Sequence, residues 1–215
     1  YNKNIIEEPY RYDPVLAGRR ELKNTCLAYL MLLDDGAVKD LCLGQFKQSD
    51  NMTDVQAAFQ AIVHKPDCPE RREVIASFYN TWKEDPLVLD SWFALQATAP
   101  LPGTLEEVKS LLNHPAFSIA NPNRVRSLIG TFCSMNHICF HDKSGDGYRF
   151  LADQVLRLDA MNPQIASRMV APLSRWQRFD ANRRKLMTRE IERILSRKDL
   201  SLDVYEIASK SLIQM

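Results

Sequence analysis

Two short segments decide the fold, Asn121-Pro122-Asn123-Arg124-Val125-Arg126 and Asn162-Pro163-Gln164-Ile165-Ala166-Ser167-Arg168. Asn is a good helix N-cap, and Pro fits the first helical position because its missing N–H would have no helical partner there. Each Asn-Pro pair therefore predicts a helix start. The arginines that follow oppose the positive end of the helix dipole. Together, the two starts indicate a basic, donor-rich surface suited to an anionic group.

The same helix punctuation recurs along the chain. Asp13-Pro14 and Asp85-Pro86 predict two further starts, and Ser201 predicts the cap of the last helix. Thr53 with Gln56 and Thr104 with Glu107 match capping boxes, in which Glu or Gln follows Thr by three residues. The apolar spacing is helical almost throughout, and no segment has a convincing strand pattern. The sequence therefore predicts about eleven helices joined by short loops.

A weak internal repeat indicates how these helices are arranged. Aligning the two Asn-Pro starts places Leu128 opposite Met169 and Ile129 opposite Val170. The spacing lies within the range of two-helix solenoid units. We therefore expect an all-α fold, a superhelical α-solenoid of stacked antiparallel helix pairs of the armadillo/HEAT type, with a globular bundle as the alternative. A single domain is expected over residues 1–215, with residues 1–12 as an extended lead-in.

Composition excludes several classes of function. The chain has 28 basic and 27 acidic residues, a net charge of +1, so nothing in its overall charge attracts nucleic acid. Its longest apolar run, Cys26–Leu33, is too short to cross a bilayer, and no signal peptide is visible. Because the chain begins with Tyr1 rather than Met, we expect it to be a fragment of a longer protein.

The five cysteines form no CxxC pair. An odd number of unpaired cysteines favours free thiols in a reducing compartment, which predicts a cytoplasmic protein.

One cluster consists of residue types that bind zinc, namely Cys133, His137, Cys139 and His141. Its spacing is not a familiar structural-zinc pattern, and apolar residues alternate with it as they do at a packed helix end. Buried thiols and surface imidazoles are therefore the favoured interpretation. We expect no metal site in this chain.

A second candidate resembles part of a calcium loop. Asp142, Ser144, Asp146 and Gly147 occupy the first, third, fifth and sixth positions, and Asp153 stands where a longer Glu is usual. Asp, Ser and Gly are also common in the turn before a helix, which favours a plain turn. No H-E-x-x-H motif and no paired nucleophile and base appear, so no catalytic residue is predicted.

The first Asn-Pro segment and the residues after it resemble a known family. The likeness runs from Asn121 to Gly130, through Phe140-His141 and Asp146–Phe150, and on through Asn162–Arg168. Upstream, Asn51–Asp54 and Trp92–Leu95 also fit. These segments resemble the C-terminal helical domain of bacterial-type aminopeptidase N, in the M1 family of zinc metalloaminopeptidases. The likeness covers nearly the whole chain.

This resemblance implies an α-solenoid that packs over an upstream catalytic domain of the same polypeptide and helps to enclose a cavity for small peptides. The zinc-binding motif lies in that upstream domain, so the zinc belongs to the parent enzyme and no cofactor is expected here. Arg126, Gln164 and Arg168 match positions that face the cavity, with Arg124 as a possible secondary contact. Arginines there could attract a peptide carboxylate.

The sequence therefore predicts a non-catalytic domain of an aminopeptidase that admits and positions peptide substrates, with no nucleic-acid or membrane partner. The alternative is a free-standing α-solenoid that binds a protein partner.

Overall fold

The computed structural model describes residues 1–213, and over that range the chain is all-α, as predicted. Its contacts divide it into two compact units, Tyr1–Leu101 and the residues from Pro102 onward. The expectation of one domain over residues 1–215 stays a prediction. Within residues 1–213, no helix is both long and apolar enough to cross a membrane.

The first unit contains five helices after a short lead-in. They are α1 (Pro14–Leu30), α2 (Gly36–Gln48), α3 (Met52–Val63), α4 (Arg71–Trp82) and α5 (Pro86–Ala97). In the lead-in, Asn2–Asn4 form one 3-10 turn, and the other residues before α1 are non-helical. Arg19 Nη2 donates a hydrogen bond to the Ile5 carbonyl at 3.0 Å, which ties this segment to α1.

The second unit contains shorter and more interrupted helices. They are α6 (Thr104–Leu111), α7 (Pro122–Val125), α8 (Thr131–Met135), α9 (His137–Phe140), α10 (Asp146–Asp159), α11 (Pro163–Met169), α12 (Ala171–Ser174), α13 (Ala181–Leu195) and α14 (Leu202–Ile213). A π turn, Arg126–Gly130, joins α7 to α8, and a 3-10 turn, Trp176–Arg178, follows α12.

The core of the first unit is built around α3, which packs against α1, α2, α4 and α5. Phe59 and Ile62 of α3 are fully buried. The Phe59 ring lies 4.6 Å from Phe78 of α4 between centroids, and Phe46 of α2 completes this aromatic group. Burial of such large apolar side chains is the main force that holds the helices together.

A polar network ties α1 and α2 to the start of α3. Lys23 Nζ lies 2.6 Å from the buried Asp54 carboxylate, which also accepts a hydrogen bond from Asn24 Nδ2. Gln45 Nε2 donates to the Asp54 carbonyl at 3.0 Å. Because buried charges are costly unless they are paired, this network fixes how the three helices pack.

The core of the second unit centres on α10, which packs against α9, α11 and α13. Phe132 of α8 and Phe140 of α9 are fully buried and meet edge to face at 6.1 Å between centroids. The repeat pairs Leu128 with Met169 and Ile129 with Val170 are buried at all four positions. The predicted repeat therefore marks equivalent core positions.

At the five helix starts predicted from Asp13, Asp85, Asn121, Asn162 and Ser201, a side chain forms the N-cap. Asp13 Oδ1 accepts from the Val15 and Leu16 amides, and Asp85 Oδ1 accepts from those of Leu87 and Val88. The predicted caps at Asn121, Asn162 and Ser201 also accept amide hydrogen bonds. These predictions are confirmed, since each side chain satisfies an amide that has no helical partner.

Both predicted capping boxes are wrong about the cap residue. Asn51, not Thr53, caps α3, because its side chain accepts from the Asp54 amide at 3.0 Å while Thr53 lies in the first turn. Gly103, not Thr104, precedes α6, and its φ of 87° lies in the left-handed region. Glycine adopts that conformation without steric cost, so it starts the helix one residue earlier than predicted.

One predicted helix is interrupted, and one short helix lies where a loop was expected. A continuous helix was expected from Asn162-Pro163 to about Arg178, but α11 ends at Met169 and α12 spans only Ala171–Ser174. Pro172 has no N–H to bond the carbonyl four residues earlier, which explains the interruption. The short helix α9 lies where a loop was expected.

Candidate functional site

The first Asn-Pro segment is held by its own cap. Asn121 Oδ1 accepts hydrogen bonds from the Asn123 amide at 2.9 Å and the Arg124 amide at 3.4 Å. Asn123 Oδ1 then accepts from Arg126 Nη2 at 2.5 Å. The Arg126 side chain is exposed and is oriented by this contact beside the helix start.

Arg126 also begins the π turn. The Thr131 amide bonds the Arg126 carbonyl five residues earlier, and the Thr131 hydroxyl donates to the same carbonyl at 3.2 Å. A π turn inserts one extra residue into a helix and is common at functional sites. The sequence pattern gave no sign of it.

The second Asn-Pro segment presents two polar side chains. Asn162 Oδ1 accepts from the Ile165 amide at 3.2 Å, so the cap is formed as predicted. Gln164 and Arg168 are both exposed, and their i,i+4 spacing places them on one face of α11. Within residues 1–213 the Arg168 guanidinium has no hydrogen-bond or ion-pair partner, so it is available to a ligand.

Gly130 shows that the two segments are neighbours. A Cβ at this position would lie 3.8 Å from Met169 Sδ and 3.9 Å from Arg126 Cβ. Met169 directly follows Arg168 in α11. The structure therefore brings the stem of Arg126 close to the helix that carries Gln164 and Arg168.

Arg124 differs from the other predicted contacts. It is only 6% exposed, and its Nε donates to the Ala116 carbonyl at 3.2 Å. This arginine ties the loop before α7 to the helix, which is a structural role. Its predicted secondary contact with substrate stays a prediction.

The Cys/His cluster divides between core and surface. Cys133 is buried, and its burial raises the pKa of the thiol well above its usual range. His137 is exposed, while His141 Nδ1 lies 3.0 Å from the Tyr148 hydroxyl. Burial, and then the charges of His137 and Arg183, lower the pKa of His141 to about 4. Among the described residues, no three His, Cys, Asp or Glu side chains come together as a metal site.

The calcium-like segment forms a turn stabilised by its own side chains. Asp142 Oδ1 accepts from the Ser144 amide at 2.9 Å, and Ser144 Oγ accepts from the Asp146 amide at 3.3 Å. Asp153 pairs instead with Arg193 at 2.8 Å. The favoured turn interpretation agrees with these contacts.

Two arginines beside the Cys/His cluster were not predicted as functional residues from the sequence. Arg175 and Arg178 are exposed and line a small cavity together with Ser134 and His137. Arg175 follows Arg168 by seven residues, about two helical turns, which is the one signal that could have linked them. The turn after α12 is what brings Arg178 to the same cavity.

Paired helices around α3 and α10, with equivalent core positions in the internal repeat, define an all-α repeat domain of the armadillo type. The chain belongs to the family described as "Domain of unknown function (DUF3458_C) ARM repeats", whose model matches residues 1–213. The predicted fold class is thereby confirmed.

Several proteins are similar to this chain. It is 42% identical over 207 residues to Aminopeptidase N of Caulobacter vibrioides, covering 96% of the chain and 24% of that relative. It is 40% identical over 212 residues to Aminopeptidase N of Escherichia coli, covering 99% of the chain and 24% of that relative. For Aminopeptidase N of Haemophilus influenzae the identity is 43% over 193 residues, covering 90% of the chain and 22% of that relative.

A solved aminopeptidase structure also matches this chain. The fold matches the crystal structure of Legionella pneumophila aminopeptidase A in complex with aspartic acid, with a TM-score of 0.90 and 32% identity over 98% of the chain and 25% of that structure. The resemblance to the C-terminal helical domain of aminopeptidase N is thus confirmed. The chain spans about a quarter of the length of these relatives.

Proposed function

We propose that this chain is the cavity-capping C-terminal domain of a zinc metalloaminopeptidase, an enzyme that releases N-terminal amino acids from peptides. In that role it controls substrate access and packs against an upstream catalytic domain of the same polypeptide. It contributes no catalytic residue, and the 215-residue chain alone is expected to be inactive. The carrying observation is the match of 90–99% of this chain to aminopeptidase N relatives at 40–43% identity.

The surface formed by Arg126, Gln164 and Arg168 supports a substrate-positioning role. All three side chains are exposed, and Gly130, four residues after Arg126, lies against Met169 of α11. A guanidinium can form two parallel hydrogen bonds to a carboxylate, which a peptide carries at its C-terminus. Gln164 adds an amide that both donates and accepts, suited to a peptide backbone. This surface would therefore hold the end of a peptide away from the cleaved bond.

Zinc is assigned to the parent enzyme rather than to this chain. Among residues 1–213 there is no cluster of side chains that could hold a metal ion, so the residues described here do not fit a zinc site. The ligands and the catalytic groups would come from the upstream domain.

An apolar stripe on α1 supports packing against another domain. Val15, Leu22 and Tyr29 recur every seven residues, so they lie on one face of the helix. They are 73%, 53% and 70% exposed. Large exposed apolar patches mark interaction sites, and an upstream domain would bury this one.

The five cysteines are all free thiols, with Cys42, Cys68 and Cys133 buried. Free thiols support a reducing compartment, and we place the protein in the cytoplasm.

The role of Arg168 can be tested in the longer polypeptide that carries this chain. We expect Arg168→Ala to lower kcat/KM for short peptides about tenfold, the effect of losing one charge-assisted hydrogen bond. Zinc content should not change. The loss should be larger for di- to tetrapeptides than for a single aminoacyl chromogenic amide, which has no peptide carboxylate.

Arg157→Ala is the matched control, because Arg157 is also an exposed arginine of the same unit. Its kinetics should equal those of the parent. If Arg168→Ala leaves the kinetics unchanged for every peptide length, Arg168 has no role in substrate handling.

A further inference from the structure

A second feature of this unit is a cavity of about 200 Å³ beside the Cys/His cluster. Ser134 and His137 line it from α8 and α9, and Arg175 and Arg178 line it from the segment after α12. Pro172 and the Phe179 ring complete its wall. Four exposed polar residues from separate segments thus line one open cavity.

The charge in this cavity is uncompensated. Within the part of the chain that the structure describes, neither the Arg175 nor the Arg178 guanidinium has a hydrogen-bond or ion-pair partner. The neighbouring acids are already engaged. Asp180 binds Arg183 Nη1 at 2.5 Å and caps α13, and Asp142 accepts from the Ser144 amide. Two free cations without a nearby free carboxylate create a positive potential that attracts an anion.

Contacts within the chain hold the wall of the cavity in place without a ligand. The His141 ring stacks on Phe179, with centroids 4.1 Å apart, and its Nδ1 lies 3.0 Å from the Tyr148 hydroxyl. Arg183 Nε donates to the His141 carbonyl, and Arg184 Nε donates to the Phe179 carbonyl, each at 2.6 Å. A preorganised wall lowers the entropy that binding has to overcome.

The size of the cavity limits what it can hold. A water molecule takes about 30 Å³ in the liquid, so there is room for one small charged group and a few waters. Sites for whole drug-sized molecules are usually larger, about 300–1,000 Å³. His137 and His141 also have the i,i+4 spacing of a metal-binding pair, with ring planes 7° apart. The two nearby guanidiniums disfavour a cation there, so the charge balance favours an anion.

We propose that this cavity is an oxyanion-binding site for a carboxylate or phosphate group. Arg175 and Arg178 hold the negative charge, and Ser134 and His137 add hydrogen bonds. This site is distinct from the surface proposed for Arg168, and it gives His137 of the Cys/His cluster a role in ligand binding.

The test is a titration of the 215-residue chain followed by NMR of its histidine rings, of which there are only four. The ligands are inorganic phosphate, trialanine and trialanine amide, at constant ionic strength because salt screens weak anion binding. We expect saturable shifts of the His137 and His141 ring signals with phosphate or trialanine. The His64 and His114 signals should stay in place, and trialanine amide should have little effect. Stronger binding of phosphate or of trialanine identifies the natural source of the anion.

Variants separate specific binding from general charge effects. Arg175→Ala with Arg178→Ala should weaken binding at least about tenfold, as expected for lost charge-assisted hydrogen bonds. Lys at both positions should give an intermediate affinity, because Lys keeps the charge but loses the planar fork. Arg157→Ala should bind like the parent chain, and thermal melts should confirm that all variants are folded.

Three results would overturn the proposal. The first is that no anion produces saturable shifts of the His137 and His141 signals. The second is that the double Ala variant binds as tightly as the parent. The third is that zinc alone shifts these signals while the anions do not.

Discussion

Gly147 illustrates how one residue without a side chain determines local packing. It lies in the first turn of α10, directly against α9. A Cβ there would overlap the Phe140 carbonyl oxygen and lie 2.9 Å from the Phe140 Cα. These are backbone atoms, so they cannot move aside as a flexible side chain can. The string Asp146-Gly147-Tyr148, part of the family resemblance, therefore has a structural reason.

We predict that Gly147→Ala destabilises the chain by about 1–3 kcal/mol, the usual range for overpacking a core. Urea unfolding followed by circular dichroism measures this. Gly18→Ala is the control, because Gly18 is helical and has nothing within 4 Å of its added Cβ. That change should stabilise by about 0.5–1 kcal/mol, since Ala is the better helix former. Equal effects of the two substitutions would show that backbone contact at Gly147 is unimportant.

Asp54 shows that a single polar residue can also determine how helices pack. Its carboxylate is buried with Lys23 and also accepts from Asn24 and Asn51. A charge in the core is tolerated because Lys23 neutralises it and both carboxylate oxygens accept hydrogen bonds. The segment Asn51-Met52-Thr53-Asp54 reads as a helix start in the sequence, yet it also anchors α1 to α3.

Among the helices, α3 shows why a sequence pattern can name the wrong N-cap. Both Asn51 and Thr53 could cap its start. The pattern favoured Thr53 as the cap with Gln56 as its partner, whereas the Asn51 side chain bonds the Asp54 amide. Thr53 is exposed within the first turn. The capping-box pattern was present, but a better cap two residues upstream took its place.

We expect Asn51→Ala to lower the free energy of unfolding by about 1–2 kcal/mol, at the upper end for a cap because Asn51 also supports Asp54. Thr53→Ala, the matched change two residues away, should cost less than about 0.5 kcal/mol. Chemical denaturation of both variants measures the difference. A larger loss for Thr53→Ala would restore Thr53 as the cap.

Helix identity could be predicted from the sequence because caps and apolar spacing act locally. The all-α fold and the starts at Asp13, Asp85, Asn121 and Asn162 all followed from such signals. The break at Pro172 was also visible in principle, since proline cannot donate the helical hydrogen bond.

The rest depended on contacts between distant residues. The π turn at Arg126, the burial of Arg124 against Ala116 and the convergence of Arg178 with His137 each need the folded chain. The family resemblance named Arg126, Gln164 and Arg168, but it did not show that Gly130 packs against Met169 and so brings the stem of Arg126 close to α11. The candidate site was therefore predicted as residues and not as an arrangement.

For the whole molecule, the apolar stripe of α1 favours association with another protein surface. Val15, Leu22 and Tyr29 are exposed over about four turns of helix. Water disfavours such a surface, so a second copy of the chain can cover it when no other domain does. The proposed packing against an upstream domain and self-association of the separate chain thus have the same physical cause.

We predict that the purified chain self-associates with rising concentration, its mass by light scattering exceeding the 24.7 kDa of one copy. Replacing Leu22 and Tyr29 with Lys should keep the mass at that of one copy, because charges on the stripe oppose its burial. Leu87→Lys is the control, since Leu87 is 74% exposed on α5 of the same unit but outside the stripe. It should associate like the parent chain. A parent chain that stays at one copy at high concentration would show that the stripe is tolerated in water, and the support it gives to domain packing would be lost.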